Sequence, residues 1–247
     1  MPKFFVKTNQ IEKNKIKIIG EDVKHINQVL RAKNGEKLTI CDLDTTLNYI
    51  TIISQITSEY VICEIQDCIK SFIEGNIDIT IFQGIPKADK MEYIIQKSTE
   101  LGAKTIVPVE MIRCVVKLDS KKEERKIERW QKIAESAAKQ SGRDLIPKVE
   151  IPTNINNLCD KINEFDVVIL AYEEEKENTL KNELQKISRN QKNKIGIIIG
   201  PEGGIDKAEV EMLVKAGAKV VTLGKRILRT ETASISVISN IMYELEL

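Results

Sequence analysis

The most constraining feature of this sequence is an alternation, from Ile77 onward, between short segments rich in Ile and Val and longer amphipathic segments. Parallel strands covered on both faces read as continuous apolar runs, and helices must connect them. The segments interpreted as strands are DITIFQGI, TIVPV, DVVIL, IGIII and KVVTL. The alternation therefore predicts an α/β fold, in which a parallel sheet carries helices on both faces.

The helices expected between these strands begin and end at recognisable residues. Asp89 and Glu92 have the spacing of a capping box, and Gly102 follows as a stop signal. Asp206 and Glu209 repeat the capping-box spacing. The predicted helices cover roughly 89–101, 121–140, 179–189, 206–216 and 231 onward.

The first 70 residues follow a different pattern. KFFV, IKII, KLTICD, YITIISQI and YVICEIQD alternate or are rich in Ile, Val and Tyr, which is typical of strands. Only DVKHINQVL resembles a short helix. We therefore predict two domains, a small β-barrel or sandwich over residues 1–71 and an α/β domain over 72–247.

Charge and cysteine usage exclude several classes of protein. The 38 Lys and Arg residues nearly balance 37 Asp and Glu residues, so a nucleic-acid partner must be argued from local clusters. Five cysteines without a C-x-x-C pair, together with a single histidine, argue against a metal site. No signal-peptide pattern and no membrane-length apolar run is present, so a cytoplasmic protein without a membrane partner is expected.

The stretch IIIGPEGG places three glycines and one carboxylate at the end of a predicted strand. In parallel sheets, ligands bind beyond the carboxyl ends of the strands. Glycines at Gly200, Gly203 and Gly204 would allow the backbone to approach such a ligand closely. A tight turn without a ligand explains the motif about equally well.

A second loop, LGKRILRTETA at 223–233, leaves the strand KVVTL and enters the last helix. Lys225, Arg226 and Arg229 precede Thr230 and Glu231, and threonine oxygens at a helix start commonly cap free N–H groups. Three cations beside a helix N-terminus form a suitable anion site. A solvated, threonine-capped loop is the alternative.

Together these loops are similar to those of a known enzyme family. IIGPEGG and LGKRILRTETA, with QKSTELGAKTIVPV, RCVVKLDS, RWQKIAESAAKQSGR and AYEEE upstream, resemble the RsmE family of 16S ribosomal RNA uridine N3-methyltransferases. The resemblance implies a PUA-like RNA-binding β-barrel followed by a SPOUT-type domain with a C-terminal trefoil knot. It also implies S-adenosylmethionine as cofactor, 16S ribosomal RNA of the small subunit as substrate, and a homodimer.

The resemblance also implies a cofactor pocket made of three loops. Its residues would be Leu170, Ala171 and Tyr172 after the first knot strand, Ile199, Gly200, Glu202 and Gly203 after the second, and Leu223, Gly224, Ile227, Leu228 and Arg229 after the third. Methylation of uridine N3 requires removal of the imide proton while negative charge spreads onto O2 and O4. Arg229 is the expected oxyanion stabiliser, and Glu231 or Glu202 is the expected base. Glu231 could equally be a first-turn residue that interacts with the helix dipole.

The last helix offers a clue to assembly. Ile235, Ile238, Met242 and Leu245 follow one face, while Val237 and Ile241 lie off it. Such a wide apolar surface favours a dimer interface, although burial within one chain would also use it.

Basic residues at several positions are candidates for RNA contacts, because phosphate contacts position an RNA substrate. The candidates are Lys13, Lys15, Lys17, Arg113, Arg143 and Arg226. We favour Arg143, which follows a predicted helix end. Each of these residues alone is more commonly a solvated surface charge.

Other classes of function remain open from the sequence. A SPOUT-type enzyme acting on another RNA or base, or a non-catalytic ribosome-assembly factor, would use the same fold. A dehydrogenase is disfavoured because no G-x-G-x-x-G motif is present.

Overall fold

The structure is a computed structural model that describes residues 2–70, 73–116, 120–188 and 193–246, with the side chains of 120–122 excepted. It divides into two compact units. The first comprises the described residues up to Glu74 together with Ala138–Ile146, and the second comprises the rest. The predicted boundary between residues 71 and 72 lies outside the described residues, and the inclusion of 138–146 in the first unit was not anticipated.

The first unit is built on a six-stranded sheet with the strand order β1-β4-β5-β6-β3-β2. Its strands are β1 Lys3–Val6, β2 Ile11–Glu12, β3 Lys15–Ile19, β4 Lys37–Asp42, β5 Leu47–Ile56 and β6 Tyr60–Lys70. The β1–β4 pair is parallel and the others are antiparallel. Alternation along β3 buries Ile16 and Ile18 and exposes the residues between them, as a half-buried strand requires. The five predicted strands are confirmed.

The predicted helix in this unit is short. Helix α1, Glu21–Lys24, continues directly into a π-helical segment, His25–Val29. Val23 and Ile26 from these segments join the core formed by the sheet.

The second unit contains a sheet in which every pair of strands is parallel, as predicted. Its strands are β7 Ile77–Gly84, β8 Thr105–Glu110, β9 Lys148–Val149, β10 Thr153–Asn154, β11 Val167–Ala171, β12 Asn193–Ile199 and β13 Lys219–Val221. The order is β10-β8-β7-β12-β11-β13, and β9 also pairs with β8. The trefoil knot implied by the resemblance stays a prediction.

Helices connect these strands and cover both faces of the sheet. They are α2 Lys90–Glu100, α3 Ser120–Ser141, α4 Ile155–Lys161, α5 Leu180–Leu184, α6 Lys207–Ala216 and α7 Thr230–Leu245. One core packs Ile197 of β12 against α5 and α7, and a second packs Ile198 against α4 and α6. Adjacent residues of one strand thus serve opposite cores, which explains the unbroken apolar run. None of the described helices is long and apolar enough to cross a membrane.

The two predicted capping boxes have different outcomes. At α6, the Asp206 carboxylate accepts the Ala208 N–H at 3.1 Å and the Glu209 carboxylate accepts the Asp206 N–H at 3.3 Å. At α2 the prediction is wrong: Asp89 has φ −89° and ψ 9°, and its side chain makes no cap hydrogen bond. A capping residue needs an extended backbone, which Asp89 lacks. Glu92 instead pairs with Arg129 at 2.8 Å.

The apolar surface of α7 is used inside this chain. Val237, Ile238 and Ile241 are fully buried, and Leu245 is 6% exposed, against β7 and β12 in the first core. The width of this surface therefore follows from packing within one chain, so it no longer argues for a dimer.

Candidate active site

A cavity of about 390 Å³ lies at the carboxyl ends of β11, β12 and β13. The loops that follow these three strands form its walls, as expected for ligand sites in parallel sheets. Ten of the residues predicted to bind a cofactor line it: Ala171, Tyr172, Ile199, Gly200, Glu202, Leu223, Gly224, Ile227, Leu228 and Arg229.

Two predicted cofactor residues do not line the cavity. Leu170 is fully buried in the core on the α4 and α6 side of the sheet, because side chains alternate along β11. A Cβ on Gly203 would lie 3.2 Å from the Cβ of Arg113, so that position faces Arg113. The residues of this loop that line the cavity are Gly200, Pro201, Glu202 and Gly204.

The walls of the cavity combine apolar side chains with free backbone groups. Ala171, Ile199, Leu223, Leu228 and Ala233 supply apolar surface. Within the part of the chain that the structure describes, the N–H groups of residues 225–229 make no hydrogen bond. A flat ligand with both apolar and hydrogen-bonding edges fits such a wall, because the loop offers both kinds of contact.

Gly224 gives this loop its shape. Its φ of +117° belongs to a region that residues with a Cβ rarely adopt, and no atom lies within 4 Å of where a Cβ would stand. Glycine is therefore needed here for backbone conformation rather than for close approach of another group.

The charged side chains that line the cavity are predominantly cationic. Five cations face two carboxylates, and these residues are Lys90, Lys176, Lys225, Arg226 and Arg229 against Glu173 and Glu202. The surplus of three positive charges favours an anionic ligand such as RNA.

Arg229 is placed by the start of α7. It is the N-cap residue, with an extended backbone at φ −65° and ψ 152°, and its side chain makes no cap hydrogen bond. Its exposed guanidinium has no hydrogen bond or ion pair among the described residues. Arg229 is therefore available to a ligand in the cavity.

The carboxylate of Glu202 is bound by two groups that precede or begin α2. Lys90 Nζ lies 3.0 Å from Glu202 Oε1, and the Lys87 N–H donates to the two carboxylate oxygens at 3.2 and 3.3 Å. Burial raises the pKa of Glu202, but these hydrogen bonds outweigh it, so the pKa lies below its usual value. Glu202 is thus held ionised.

Glu231 approaches the same lysine from the first turn of α7. Its Oε2 lies 3.4 Å from Lys90 Nζ, is buried, and has no hydrogen-bond partner in the described part of the chain. Glu231 does not line the cavity. Of the two predicted bases, Glu202 is the one that faces the space where a ligand would lie.

A buried hydrogen-bond network, which no sequence motif predicted, joins the two principal loops. Gln83 Nε2 donates to Thr230 Oγ1 at 2.9 Å, and that hydroxyl donates to the Gly200 carbonyl at 2.7 Å. Ser234 Oγ donates to Gln83 Oε1 at 2.6 Å. Thr230 therefore joins the loop at 200–204 to α7, and the prediction that it caps the helix is wrong. The available signal was a glutamine in DITIFQGI, a segment predicted to be a buried strand.

Arg113 supports the same loop from outside. Its Nη1 donates to the Gly203 carbonyl at 3.1 Å, and its Nη2 lies 3.4 Å from Asp206. The buried Glu209 carboxylate accepts the Ile112 N–H at 2.8 Å. The segment around Arg113 thus holds the loop and the start of α6 in place.

Three of the predicted RNA contacts in the first unit are lysines on its surface. Lys13, Lys15 and Lys17 are exposed, and the last two line a surface groove with Lys7 and Gln10. Lys17 Nζ also lies 4.9 Å from the centre of the Tyr60 ring.

Arg143, the favoured candidate, does not fit an RNA contact. Its side chain is 5% exposed, and its guanidinium donates to both carboxylate oxygens of Glu74, at 3.0 and 2.6 Å. A guanidinium already bound in this bidentate manner has little capacity left for a phosphate. The prediction failed because the segment 138–146 packs within the first unit, and the sequence gives no sign that Arg143 would contact Glu74 there.

Comparison with known proteins identifies the family. Residues 74–242 match the RNA methyltransferase domain family, and residues 18–66 match the RNA methyltransferase PUA domain family. The chain is 38% identical over 232 residues to ribosomal RNA small subunit methyltransferase E of Bacillus subtilis (strain 168), covering 93% of this chain and 90% of that protein. It is 34% identical to the protein of the same name from Mesomycoplasma hyopneumoniae (strain 232), covering 95% and 96%.

A solved structure agrees with these relatives. It is the crystal structure of a ribosomal RNA small subunit methyltransferase E from Neisseria gonorrhoeae bound to S-adenosyl methionine. The TM-score is 0.86 at 31% identity, over 98% of this chain and 97% of that chain. This chain therefore belongs to the ribosomal RNA small subunit methyltransferase E family.

Proposed function

We propose that this protein transfers a methyl group from S-adenosylmethionine to N3 of one uridine in the 16S RNA of the small ribosomal subunit. Methylation of small-subunit ribosomal RNA with S-adenosylmethionine follows from the family and from the ligand of the Neisseria gonorrhoeae relative. The base and the atom are the finer part of the proposal, and they rest on the resemblance and on the chemistry of the cavity.

The single observation that carries the proposal is that one cavity brings together an ionised carboxylate and an arginine that has no ion pair with any described residue. Arg229 and Glu202 come from different loops, and both line the space above the sheet. An imide such as uracil needs a group that accepts its proton and another that stabilises negative charge on its oxygens. This pair supplies both roles.

The residues of the cavity fit S-adenosylmethionine. Ala171, Ile199, Leu223 and Leu228 would pack against the adenine ring, and the free N–H groups of 225–229 would bind its polar edges. When bound, the cofactor supplies a methyl group on a sulfonium sulfur, which leaves as a thioether when the methyl bonds to N3. Gly224 is required for the wall that the ring would contact.

The chain's own residues carry the remaining steps. A carboxylate, Glu202 or Glu231, accepts the proton from N3 while the nitrogen keeps the electron pair. Arg229 stabilises the negative charge that develops on a carbonyl oxygen of the base. The walls hold N3 in line with the methyl group, and such alignment contributes much of the rate.

The exposed lysines of the first unit are proposed to bind phosphates of the RNA. Lys13, Lys15 and Lys17 would position the substrate, while Arg226 at the cavity and Arg113 beside it would contact the segment near the target base. A base buried in a helix must be flipped out to enter such a cavity. A homodimer acting in the cytoplasm, where small subunits assemble, completes the proposal.

The test is transfer of labelled methyl from S-adenosylmethionine to small subunits that lack this modification, followed by nucleoside analysis. We expect 3-methyluridine at one site. A different methylated nucleoside would refute the proposed base and atom while leaving the family assignment intact. Cofactor binding without any transfer to subunits or to free 16S RNA would refute the substrate.

A further inference from the structure

Two of the cations that line the cavity, Lys176 and Lys90, were predicted by no motif of the sequence, and Lys90 is the first residue of α2. Its Nζ contacts Glu202 at 3.0 Å and Glu231 at 3.4 Å. These are the two candidate proton acceptors, and they lie 29 residues apart in the sequence on different loops (231 − 202 = 29). One ammonium group is therefore shared by both candidates for the same role.

Two local features show that Lys90 is held against backbone and helix preferences. A cation in the first turn of a helix faces the positive end of the helix dipole, where acidic residues are preferred. Ala88, two residues earlier, has φ +53°, a region that residues with a Cβ rarely adopt. The same turn directs the Lys87 N–H at Glu202. Departures from local preference that converge on one carboxylate indicate a functional constraint.

We propose that Lys90 is a positioning residue that holds the Glu202 carboxylate ionised and directed into the cavity, so that Glu202 accepts the substrate proton. In this step the N3–H bond breaks, the proton bonds to a Glu202 oxygen, and the nitrogen keeps the electron pair. Glu231 is not the acceptor, because its oxygen near Lys90 is buried and the residue does not line the cavity. This inference rests on the proposed function.

Glu231 has a distinct role in this arrangement. Its negative charge beside Lys90 competes with Glu202 for the ammonium and opposes a second negative charge nearby. Removal of that charge would therefore strengthen the ion pair between Lys90 and Glu202. The remaining charged groups that face the cavity are Glu173, Lys176, Lys225, Arg226 and Arg229.

The first experiment needs no substrate or cofactor. The carboxyl carbon of Glu202 is followed by NMR across an acid titration of the free protein, and its signal is assigned by its loss in Glu202→Gln. We expect the midpoint to move to higher pH in Lys90→Met, and to return toward the wild-type value in Lys90→Arg. If Lys90→Met does not fold, Lys90→Gln serves the same purpose.

A matched control lies on the same helix. Lys97 has a similarly exposed side chain, 31% against 29%, and an acidic partner, Glu100, at 2.8 Å. Lys97→Met should leave the Glu202 midpoint where it is. An unchanged midpoint in Lys90→Met, or an equal shift in both variants, overturns the inference.

The second experiment distinguishes the roles of Glu202 and Glu231 by substituting each one and measuring both the Glu202 midpoint and the rate of methyl transfer. Glu231→Gln should lower the Glu202 midpoint and reduce methyl transfer less than Glu202→Gln does, because Glu202→Gln should lower the rate by about 10²–10⁴-fold. In Lys90→Met the acidic limb of kcat/KM should move to higher pH together with the NMR midpoint. Loss of rate in Glu231→Gln with an unchanged midpoint would make Glu231 the acceptor.

The outcomes distinguish this inference from the proposed function. If wild-type protein transfers no methyl group to small-subunit RNA, the proposed function fails, and the titration still measures whether Lys90 controls Glu202. If transfer occurs and Lys90→Met has a wild-type pH profile and Glu202 midpoint, the inference alone fails.

Discussion

The hydroxyl group of Thr230 offers the sharpest test of how the cavity is held together. Thr230→Val replaces the hydroxyl by a methyl group of nearly the same size, so it creates no cavity. It removes the 2.9 Å hydrogen bond from Gln83 Nε2 and the 2.7 Å hydrogen bond to the Gly200 carbonyl. The tie between the loop at 200–204 and α7 is then lost.

The expected loss of stability follows from the two groups left without partners. Gln83 is fully buried, so its orphaned amide N–H costs about 1–3 kcal/mol. The Gly200 carbonyl is half-buried and costs about 1 kcal/mol, since water can reach it in part. The free energy of unfolding should fall by about 2–4 kcal/mol in total, which lowers Tm by roughly 4–16 °C for a chain of this size.

The measurement compares Thr230→Val with Thr232→Val by thermal unfolding and by titration with S-adenosylmethionine. Thr232 lies on the same turn of α7 but is exposed, so its substitution should change stability by no more than about 0.5 kcal/mol. Thr230→Val should also weaken cofactor binding, because Gly200, which the Thr230 hydroxyl holds in place, lines the cavity.

An equal effect of both valine variants would refute this reasoning. It would mean that water replaces the Thr230 hydroxyl and that the network contributes no net stability. Ser234→Ala supplies a second check, since it deprives Gln83 Oε1 of its 2.6 Å hydrogen bond. Because Gln83, Thr230 and Ser234 share one network, the stability losses of Thr230→Val and Ser234→Ala should not add up in the variant that carries both substitutions.

Three further predictions address the ligand contacts. Arg229→Ala should lower the rate of methyl transfer by about 10²–10³-fold, since it removes one oxyanion donor, while Tm and cofactor affinity stay near wild type. Lys225→Ala is the control and should have a small effect. An unchanged rate in Arg229→Ala would refute the assigned role. The double variant Lys15→Ala/Lys17→Ala should weaken RNA binding and lower the slope of log affinity against log salt concentration by about one per lost phosphate contact. Arg143→Ala should instead reduce the free energy of unfolding by about 3 kcal/mol, because it leaves Glu74 without its ion-pair partner. Weaker RNA binding with unchanged stability in Arg143→Ala would restore Arg143 as an RNA contact. Gly200→Val should weaken cofactor binding more than Gly203→Val. A Cβ on Gly200 would lie 2.7 Å from the buried Ile205 side chain and would displace the loop that lines the cavity, while a Cβ on Gly203 would meet Arg113 at 3.2 Å. Calorimetric titration of both variants with S-adenosylmethionine decides between them, and equal affinities would contradict this reasoning.

The comparison of Gly200 and Gly203 corrects an expectation drawn from the sequence. A glycine-rich loop at a strand end predicts close approach of backbone and ligand, and on that basis Gly203→Val would fill the pocket. In the structure, Gly203 faces the side chain of Arg113, 90 residues away in the sequence. The motif lies beside the cavity at the carboxyl edge of the sheet, as expected, but which of its residues line the cavity could not be read from the motif alone, because Gly203 faces Arg113.

Local and periodic features of this protein were determined by the sequence alone. Apolar runs such as IGIII predict the parallel strands because those strands are covered on both faces, and the burial of Ile197 and Ile198 in opposite cores is the structural counterpart. The spacing of Asp206 and Glu209 predicts a capping box, since both partners lie within one turn of helix. These signals extend over a few residues; where the same spacing failed, at Asp89 and Glu92, Glu92 pairs instead with Arg129 of another helix.

The tertiary structure alone decided how the site is assembled. Lys90 contacts Glu202, which lies 112 residues later in the sequence (202 − 90 = 112). Gln83 contacts Thr230, which lies 147 residues later (230 − 83 = 147). Such contacts leave no period in the sequence, because they depend on which strand lies beside β12 and on where each loop ends. The same reason explains Arg143, which the sequence predicted as an RNA contact and which pairs with Glu74 in the structure. Residue type and local pattern thus located the loops of this site, while strand order determined which charges share it.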